Sequence, residues 1–316
     1  MVDLGAREYM KLAIFYGSYL APFALIWCVS LYRRAGPRGR WLAAGLAAAT
    51  LVFLYARFIE PRRLLVIERE IPLERCFASA GEARLAVVAD MHIGLFRNSL
   101  PMTRIVRRLG RLDADAALIP GDFTNRLDPE RFDAVFGVLG DLETPVYAVL
   151  GIHDVGAPGP DLSEPLRAAL GRAGVIDVEN RRVRNAAAGG AVEIAGLADL
   201  WGDTADFSVF DAAAAIPRIG VVHIPEAVYF LGDDAEVDLM VAGHTHGGQV
   251  NLYGLTCLIK PMACRVVREG YLARYRRQNS AAVFVTAGTG LVGLPVRFNV
   301  PPRIDMLNLR WEACGD

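Results

Sequence analysis

Residues 84–92 read RLAVVADMH, an apolar run the length of a buried strand, broken by an aspartate and a histidine two positions apart. A run of four to eight apolar residues that stops at polar residues is the mark of a strand buried on both faces. The pattern recurs along the chain. AALIP at 116–120 is followed by Gly121-Asp122, and VYAVL at 146–150 by Gly151-Ile152-His153-Asp154. IGVV at 219–222 is followed by His223, and VDLMVA at 237–242 by Gly243-His244-Thr245-His246-Gly247-Gly248-Gln249. Layered α/β proteins build their sites where strands end, because the loops there are exposed while the strands hold them rigidly.

The chain has 5 histidines, and all of them fall in these strand ends. Packed structural histidines would be scattered. Histidine and aspartate together are the donors of a transition-metal site, imidazole suiting zinc or iron and carboxylate suiting manganese. A carboxylate can also bridge two ions about 3.5–4 Å apart. In extended backbone, side chains two apart share a face. Asp90 and His92 therefore point the same way, as do His244 and His246. Taken singly, Asp122 reads as a turn cap, Asp154 as a helix cap and His223 as a core histidine. Their ordered occurrence together favours a metal site.

Between the apolar runs lie amphipathic stretches. The expected order is a strand at 84–89, a helix at 100–112, a strand at 116–119, a helix at about 128–142, a strand at 145–150 and a helix at 162–173. Further strands are expected at 181–185, 191–197, 218–222, 237–242 and 282–287. Strand–helix alternation followed by strands in succession implies an α/β domain with a second mixed sheet packed face to face on the first and helices flanking both.

The N-terminus is of another kind. Residues 12–32 (LAIFYGSYLAPFALIWCVSLY) carry no charge, and residues 41–59 (WLAAGLAAATLVFLYARFI) carry only Arg57. At about 1.5 Å per residue, roughly 20 residues cross a hydrocarbon core of about 30 Å. We expect a two-helix transmembrane hairpin over residues 1–60, kinked at Pro22, and a catalytic domain over 61–316. The connection carries Arg33, Arg34, Arg38 and Arg40 and no acid. The positive-inside rule puts that loop in the cytoplasm and the large domain outside, in the periplasm or extracellular space. Arg7 and Lys11 before the first span, and Arg62, Arg63 and Arg69 after the second, act against that bias.

Composition narrows the partners. Thirty-four basic residues (Lys+Arg 34) balance 35 acidic ones, for a formal net charge of −1, which excludes a nucleic-acid reader driven by bulk positive charge. No protein partner is implied. Cys28 lies in the first span, and Cys76, Cys257, Cys264 and Cys314 form no CxxC pair. Cys257 and Cys264 are near enough for a local disulfide, but unreactive, packed thiols are the simpler expectation.

The ordered set D-x-H, G-D, G-x-H-D, H and G-H-T-H resembles the calcineurin-like metallophosphoesterase superfamily across about residues 84–290. GHTHGGQ at 243–249 and the tail Gly288-Thr289-Gly290…Pro295-Val296-Arg297-Phe298…Pro301-Pro302 resemble its bacterial membrane-associated branch. The resemblance implies a sandwich of two sheets and a pair of divalent metals (manganese, iron or zinc). It implies that Asp90, His92 and His246 hold the first metal, that Asp122 bridges, and that His223 and His244 hold the second. His153 would stabilise the phosphoryl oxygens or protonate the leaving group, while a metal-bound hydroxide attacks phosphorus in line. Phosphodiesters, phosphomonoesters and pyrophosphates, lipid-linked esters among them, are the implied substrates.

One position departs from the pattern. The family has asparagine before the catalytic histidine, as a ligand of the second metal, and this chain has Ile152. Either the second metal is held more weakly, or the site binds a phospholigand without turning it over. Asp154 is expected to orient its neighbours, with a substitute ligand role as the alternative. Asn125 either reaches substrate or closes its own loop. Arg297 either binds phosphate or lies at the surface. The arginines at 265, 268, 274, 276 and 277 face solvent or lipid headgroups, and 252–268 is a candidate lid.

Overall fold

The computed structural model describes residues 4–315, except 97–99, 158, 188, 203, 212, 253–272 and 275–280. The chain enters through α1 (Ala6–Gly17), a turn of 3₁₀ helix at Ser18–Leu20, and α2 (Ala21–Arg34). The break falls just before Pro22, whose missing N–H and fixed φ suit a helix start and not a helix interior. After a two-residue turn, α3 (Pro37–Leu54) packs back along α2 and continues through Tyr55–Ile59 and Glu60–Arg62. The continuous helical stretches Ala6–Arg34 and Pro37–Arg62 are both long and apolar enough to cross a membrane. Their outer faces expose Phe23, Ile26, Trp27, Trp41 and Leu42.

The first stretch is not all hairpin. Leu4, Leu12 and Phe15 pack with Leu95, Phe96 and Leu291 of the large domain, and Phe15 stacks on Phe96 with ring centroids 5.2 Å apart. At the other end of the hairpin, Arg297 donates its backbone N–H to Ala56 O at 2.9 Å, and Val300 donates to Glu60 Oε1 at 2.6 Å. Arg57 is buried against the Phe15 and Phe58 rings and donates to Ser18 Oγ at 2.8 Å. Stacking on aromatic faces is how a guanidinium stays charged among apolar side chains.

The large domain is a sandwich. Its strands are β1 (Leu65–Pro72), β2 (Gly81–Val87), β3 (Ile93–Gly94), β4 (Ala116–Pro120), β5 (Thr124–Asn125), β6 (Val146–Val149), β7 (Ile176–Asp177), β8 (Arg181–Ala187), β9 (Gly190–Gly196), β10 (Arg218–Val222), β11 (Leu239–Ala242), β12 (Ala273–Arg274), β13 (Ala282–Val285) and β14 (Arg303–Trp311). One sheet has the order β1-β14-β2-β4-β6-β7 and the other β12-β13-β11-β10-β9-β8. Helices α4 (Met102–Leu109) and α6 (Ser163–Arg172) and the short α5 (Phe132–Phe136) cover the outer face of the first sheet. The 128–142 stretch is thus not one helix but a helical turn flanked by 3₁₀ segments. Between the sheets, Leu85, Val87 and Leu118 meet Ile194, Ile219, Val241 and Phe284.

The sequence reading lacked the long strands β1 and β14 and the two-residue strands β3, β5, β7 and β12. β14 lies between β1 and β2, parallel to the first and antiparallel to the second. The cysteine expectation is also corrected. Cys76 and Cys314 form a disulfide with Cα atoms 4.9 Å apart, next to the bridge between Phe77 and Ala313 that prolongs the same sheet. Cys28 is a buried free thiol. The candidate pair at 257 and 264, most of the proposed lid and the side chains of the 265–277 arginines lie outside the described residues.

Candidate metal centre

β2, β4 and β6 run parallel, as do β9, β10, β11 and β13, so their carboxyl ends open at the same edge of each sheet. The candidate ligands sit just past those ends, and five of them have left-handed backbone. Asp90 has φ 52°, His92 45°, Asp122 56°, His244 68° and His246 53°. Such conformations cost a non-glycine residue about 1 kcal/mol or more and persist only where the surroundings impose them. Here the imposition is visible. Asp90 N–H donates to Gly121 O at 3.1 Å, His92 N–H to Asp122 O at 3.0 Å, and Gly290 N–H to Asp90 O at 2.7 Å. Three loops lock one another.

Glycines make room for this. A Cβ on Gly151 would lie 2.4 Å from Asp122 Oδ1 and 2.8 Å from His223 Nδ1. A Cβ on Gly288, itself at φ 63°, would lie 2.6 Å from Asp90 Cβ. The glycines of the G-x-H-D and G-T-G stretches thus let the backbone approach the carboxylates.

Asp90, His92, Asp122, His223 and His246 are all buried. Their ligand atoms form three sets, each within 4.8 Å: Asp90, His92 and His246; Asp90, Asp122 and His223; His92, Asp122 and His153. His92 Nε2 is 2.8 Å from His246 Nε2 and 3.2 Å from Asp122 Oδ2, and His223 Nε2 is 3.4 Å from the same oxygen. Asp122 therefore belongs to two sets with one carboxylate. His244 stands outside all three. Its ring is edge-on to His223 at 5.1 Å, and its N–H donates to Asp90 Oδ1 at 2.9 Å.

The donor set fits divalent cations. Asp90 Oδ2 and His223 Nε2 are buried without a hydrogen-bond partner. His223 Nδ1 lies 2.9 Å from Pro120 O, which fixes the tautomer with the proton on Nδ1 and turns Nε2 inward. A buried acceptor with nothing to accept is costly unless a cation takes its lone pair.

The charges confirm how dependent these groups are on each other. Burial opposes ionisation of Asp122, but His223 and His92 together outweigh it and hold the carboxyl well below the usual range. Burial likewise opposes charge on His223, but Asp122 beside it pushes the ring up to about 10. Burial pushes Asp90 up to about 7 and His92 down to about 3.

His153 is half-buried at the rim. Its N–H donates to Asp122 Oδ1 at 2.9 Å, and its ring is edge-on to His92 at 4.8 Å. Burial lowers its pKa, so near neutral pH it offers a neutral ring N–H. Asp154 is fully buried, and both of its oxygens are committed. Oδ2 accepts from Phe123 N–H at 3.1 Å and Gly151 N–H at 3.0 Å, and Oδ1 accepts from Thr124 N–H at 2.9 Å. It braces the loops of Asp122 and His153. Ile152, next to His153 on the same loop, is half-buried.

Arg297 is not at the surface. It is fully buried, donating to the carbonyls of Ala287, Gly290 and Val300, with one nitrogen 3.4 Å from His246 Nδ1. Asn125 is buried with its Nδ2 lacking a hydrogen-bond partner, so it does not close its own loop through that atom. Asp199, just past β9, was missed. It is buried, Oδ1 accepts from Trp201 N–H at 2.9 Å, Oδ2 has no partner, and its charge acts on His223. Its signal was again a carboxylate just after an apolar strand.

Paired carboxylates and imidazoles around a shared aspartate, with a histidine at the rim, define a metal-dependent phosphoester hydrolase. The family model for calcineurin-like phosphoesterases matches residues 83–248, and the chain belongs to that family. It is 26% identical over 274 residues to the uncharacterized metallophosphoesterase YkuE of Bacillus subtilis, covering 85% of this chain and 93% of that one. It is 27% identical over 280 residues to the phosphodiesterase YaeI of Escherichia coli, covering 86% and 98%. It is 23% identical over 252 residues to the UDP-2,3-diacylglucosamine pyrophosphatase LpxG of Chlamydia trachomatis, covering 66% and 76%.

Proposed function

We propose that the chain is a membrane-anchored hydrolase of a phosphodiester or pyrophosphate, with lipid-linked esters as its substrate class. The observation that carries this is the single Asp122 carboxylate standing between His92 and His223. Asp90, His92 and His246 would hold one divalent metal, with Asp122 shared. His223 would hold the other, with His244 after a rotation of its ring. Bound metals supply acidified water and neutralise charge on the phosphoryl oxygens.

The chain's own residues do the rest. Asp154 fixes the backbone of both acidic loops, so that Asp122 does not reorganise during reaction. His153 donates a hydrogen bond from its neutral ring N–H to the phosphoryl or leaving oxygen, which takes the bonding pair as the ester P–O bond breaks and is then protonated from water. Ile152 leaves the second metal one ligand short, so a high metal requirement is expected.

Residues 1–60 serve as the anchor and 61–316 as the hydrolase. Two independent features favour a periplasmic hydrolase. The turn between α2 and α3, farthest from the domain, holds four arginines, at 33, 34, 38 and 40. The Cys76–Cys314 disulfide suits an oxidising compartment. The test is hydrolysis of bis-p-nitrophenyl phosphate by detergent-purified full-length protein across a manganese titration. Turnover is expected, and Asp122→Ala should abolish it. Metal binding without turnover of this ester or of pyrophosphate esters would instead favour the binding-only reading that Ile152 keeps open.

A further inference from the structure

We infer that α1 is a wall of the substrate site, and that Lys11 and Arg126 read the anionic headgroup of a lipid-anchored substrate. This rests on the hydrolase reading above.

Glu8, buried on α1, joins the two cations. Its Oε1 lies 3.8 Å from Lys11 Nζ and 3.4 Å from an Arg126 terminal nitrogen. Two cations around one carboxylate leave a net positive charge. Both cations bear electrostatically on the His153 ring. Arg126 follows Asn125 on the loop that begins at Asp122, at a left-handed φ of 58°. Its guanidinium also reaches the 156–160 loop, within 3.8 Å of where a Cβ on Gly159 would stand. The positive cluster therefore lies between the rim histidine and the first helix.

The same helix leads into the hairpin. Nine residues separate Lys11 from Leu20, or about 14 Å of helix. Tyr19 and Leu20 are already among the exposed apolar residues of the hairpin. Headgroups occupy roughly 5–7 Å on each side of the hydrocarbon core. Lys11 thus sits about two headgroup thicknesses from those residues, which turns the rim towards the lipid surface. On the same side of the Asp122 loop is a cleft of about 540 Å³, whose walls mix the apolar Ile93, Phe96, Met102 and Leu127 with Thr103 and Arg131. Phe96 is the residue on which α1 stacks, and Leu127 adjoins Arg126. A phosphate on the two cations and an acyl chain in this cleft would belong to one molecule.

The recognised chemistry is a second phosphoryl group next to the reacting one, and a soluble pyrophosphate ester shares it. Three probes separate the sources: bis-p-nitrophenyl phosphate, CDP-glycerol, and CDP-diacylglycerol in mixed micelles. Full-length protein with manganese should prefer CDP-diacylglycerol over CDP-glycerol by about tenfold or more in kcat/KM. Lys11→Ala and Arg126→Ala should each raise KM for both CDP esters by about tenfold, the worth of a charge-assisted hydrogen bond. Their effect on bis-p-nitrophenyl phosphate should be clearly smaller. Lys11→Arg, which keeps the charge, should restore most of the loss and show that the helix still packs. Equal losses on all three esters would overturn the inference and leave the hydrolase reading standing. Wild-type protein that turns over CDP-glycerol as well as CDP-diacylglycerol would overturn its lipid part. Failure of wild-type protein to cleave any of the three esters would sink the hydrolase reading, and this inference with it.

Discussion

Asp154→Asn is the smallest change that tests how the centre is held together. The substitution keeps shape and turns one acceptor oxygen into an NH2 donor. In the wild-type protein Oδ2 accepts two backbone N–H groups, from Phe123 and Gly151, while Oδ1 accepts one from Thr124. An asparagine can present its oxygen to only one side. If it keeps Thr124, its NH2 faces two N–H donors that are buried and cannot turn to water. Each orphaned donor costs about 1–3 kcal/mol, so the variant should lose about 2–6 kcal/mol. For a domain of this size that is a fall in Tm of about 4 °C or more. The flipped rotamer orphans only the Thr124 N–H but sets the NH2 against it, which marks the low end of the range. Differential scanning calorimetry of the detergent-purified protein without metal reads the loss directly. The same loops hold Asp122 and His153, so activity at saturating metal should fall as well. A variant with Tm within about 1 °C of wild type and undiminished kcat would refute the brace, because its two donors would then have found other partners.

Ile152→Asn should add an amide oxygen beside Asp122, lowering the manganese concentration for half-maximal activity by about tenfold or more. An unchanged requirement would show that position 152 does not face the second metal. Metal affinity of the stripped protein should rise from about pH 6 to about pH 8, because His223, held up near 10 beside Asp122, must release its proton to bind. Calorimetric titration in two buffers of different ionisation enthalpy counts that proton, and a pH-independent affinity would rule it out. Cys76→Ala with Cys314→Ala should cost up to about 5 kcal/mol, since the disulfide closes a loop across a sequence separation of 238. Equal melting of oxidised and reduced protein would show that it adds nothing to stability.

The strand ends were legible because buried parallel strands leave an uninterrupted apolar run, and the residues after it stand out. The order of Asp90, His92, Asp122, His153, His223, His244 and His246 could be read for the same reason. Their left-handed backbone could not, because nothing in D-M-H or G-H-T-H distinguishes a twisted exit from an extended one. The tertiary hydrogen bonds from Gly121, Asp122 and Gly290 impose it. β14 was missed because its partners, β1 and β2, lie more than two hundred residues away, and RIDMLNLRW alternates only imperfectly. Proximity in sequence suggested Cys257 with Cys264, whereas sheet register brings Cys76 to Cys314. Arg297 looked like a surface cation because its partners are carbonyls, which leave no trace in side-chain pattern.

The position of β14 has a consequence for synthesis. The helical hairpin is made before the domain that follows it. The sheet beneath the metal centre cannot close at that stage. Among the described residues β1 pairs with β14 alone, and β2 lacks one neighbour until residues 303–311 emerge. Until then β1 and β2 are open edges, the kind that mispair with other chains. The first sheet therefore stays incomplete until residues 303–311 are released. Deleting that strand should leave a polypeptide that never forms the Asp90 and Asp122 loops.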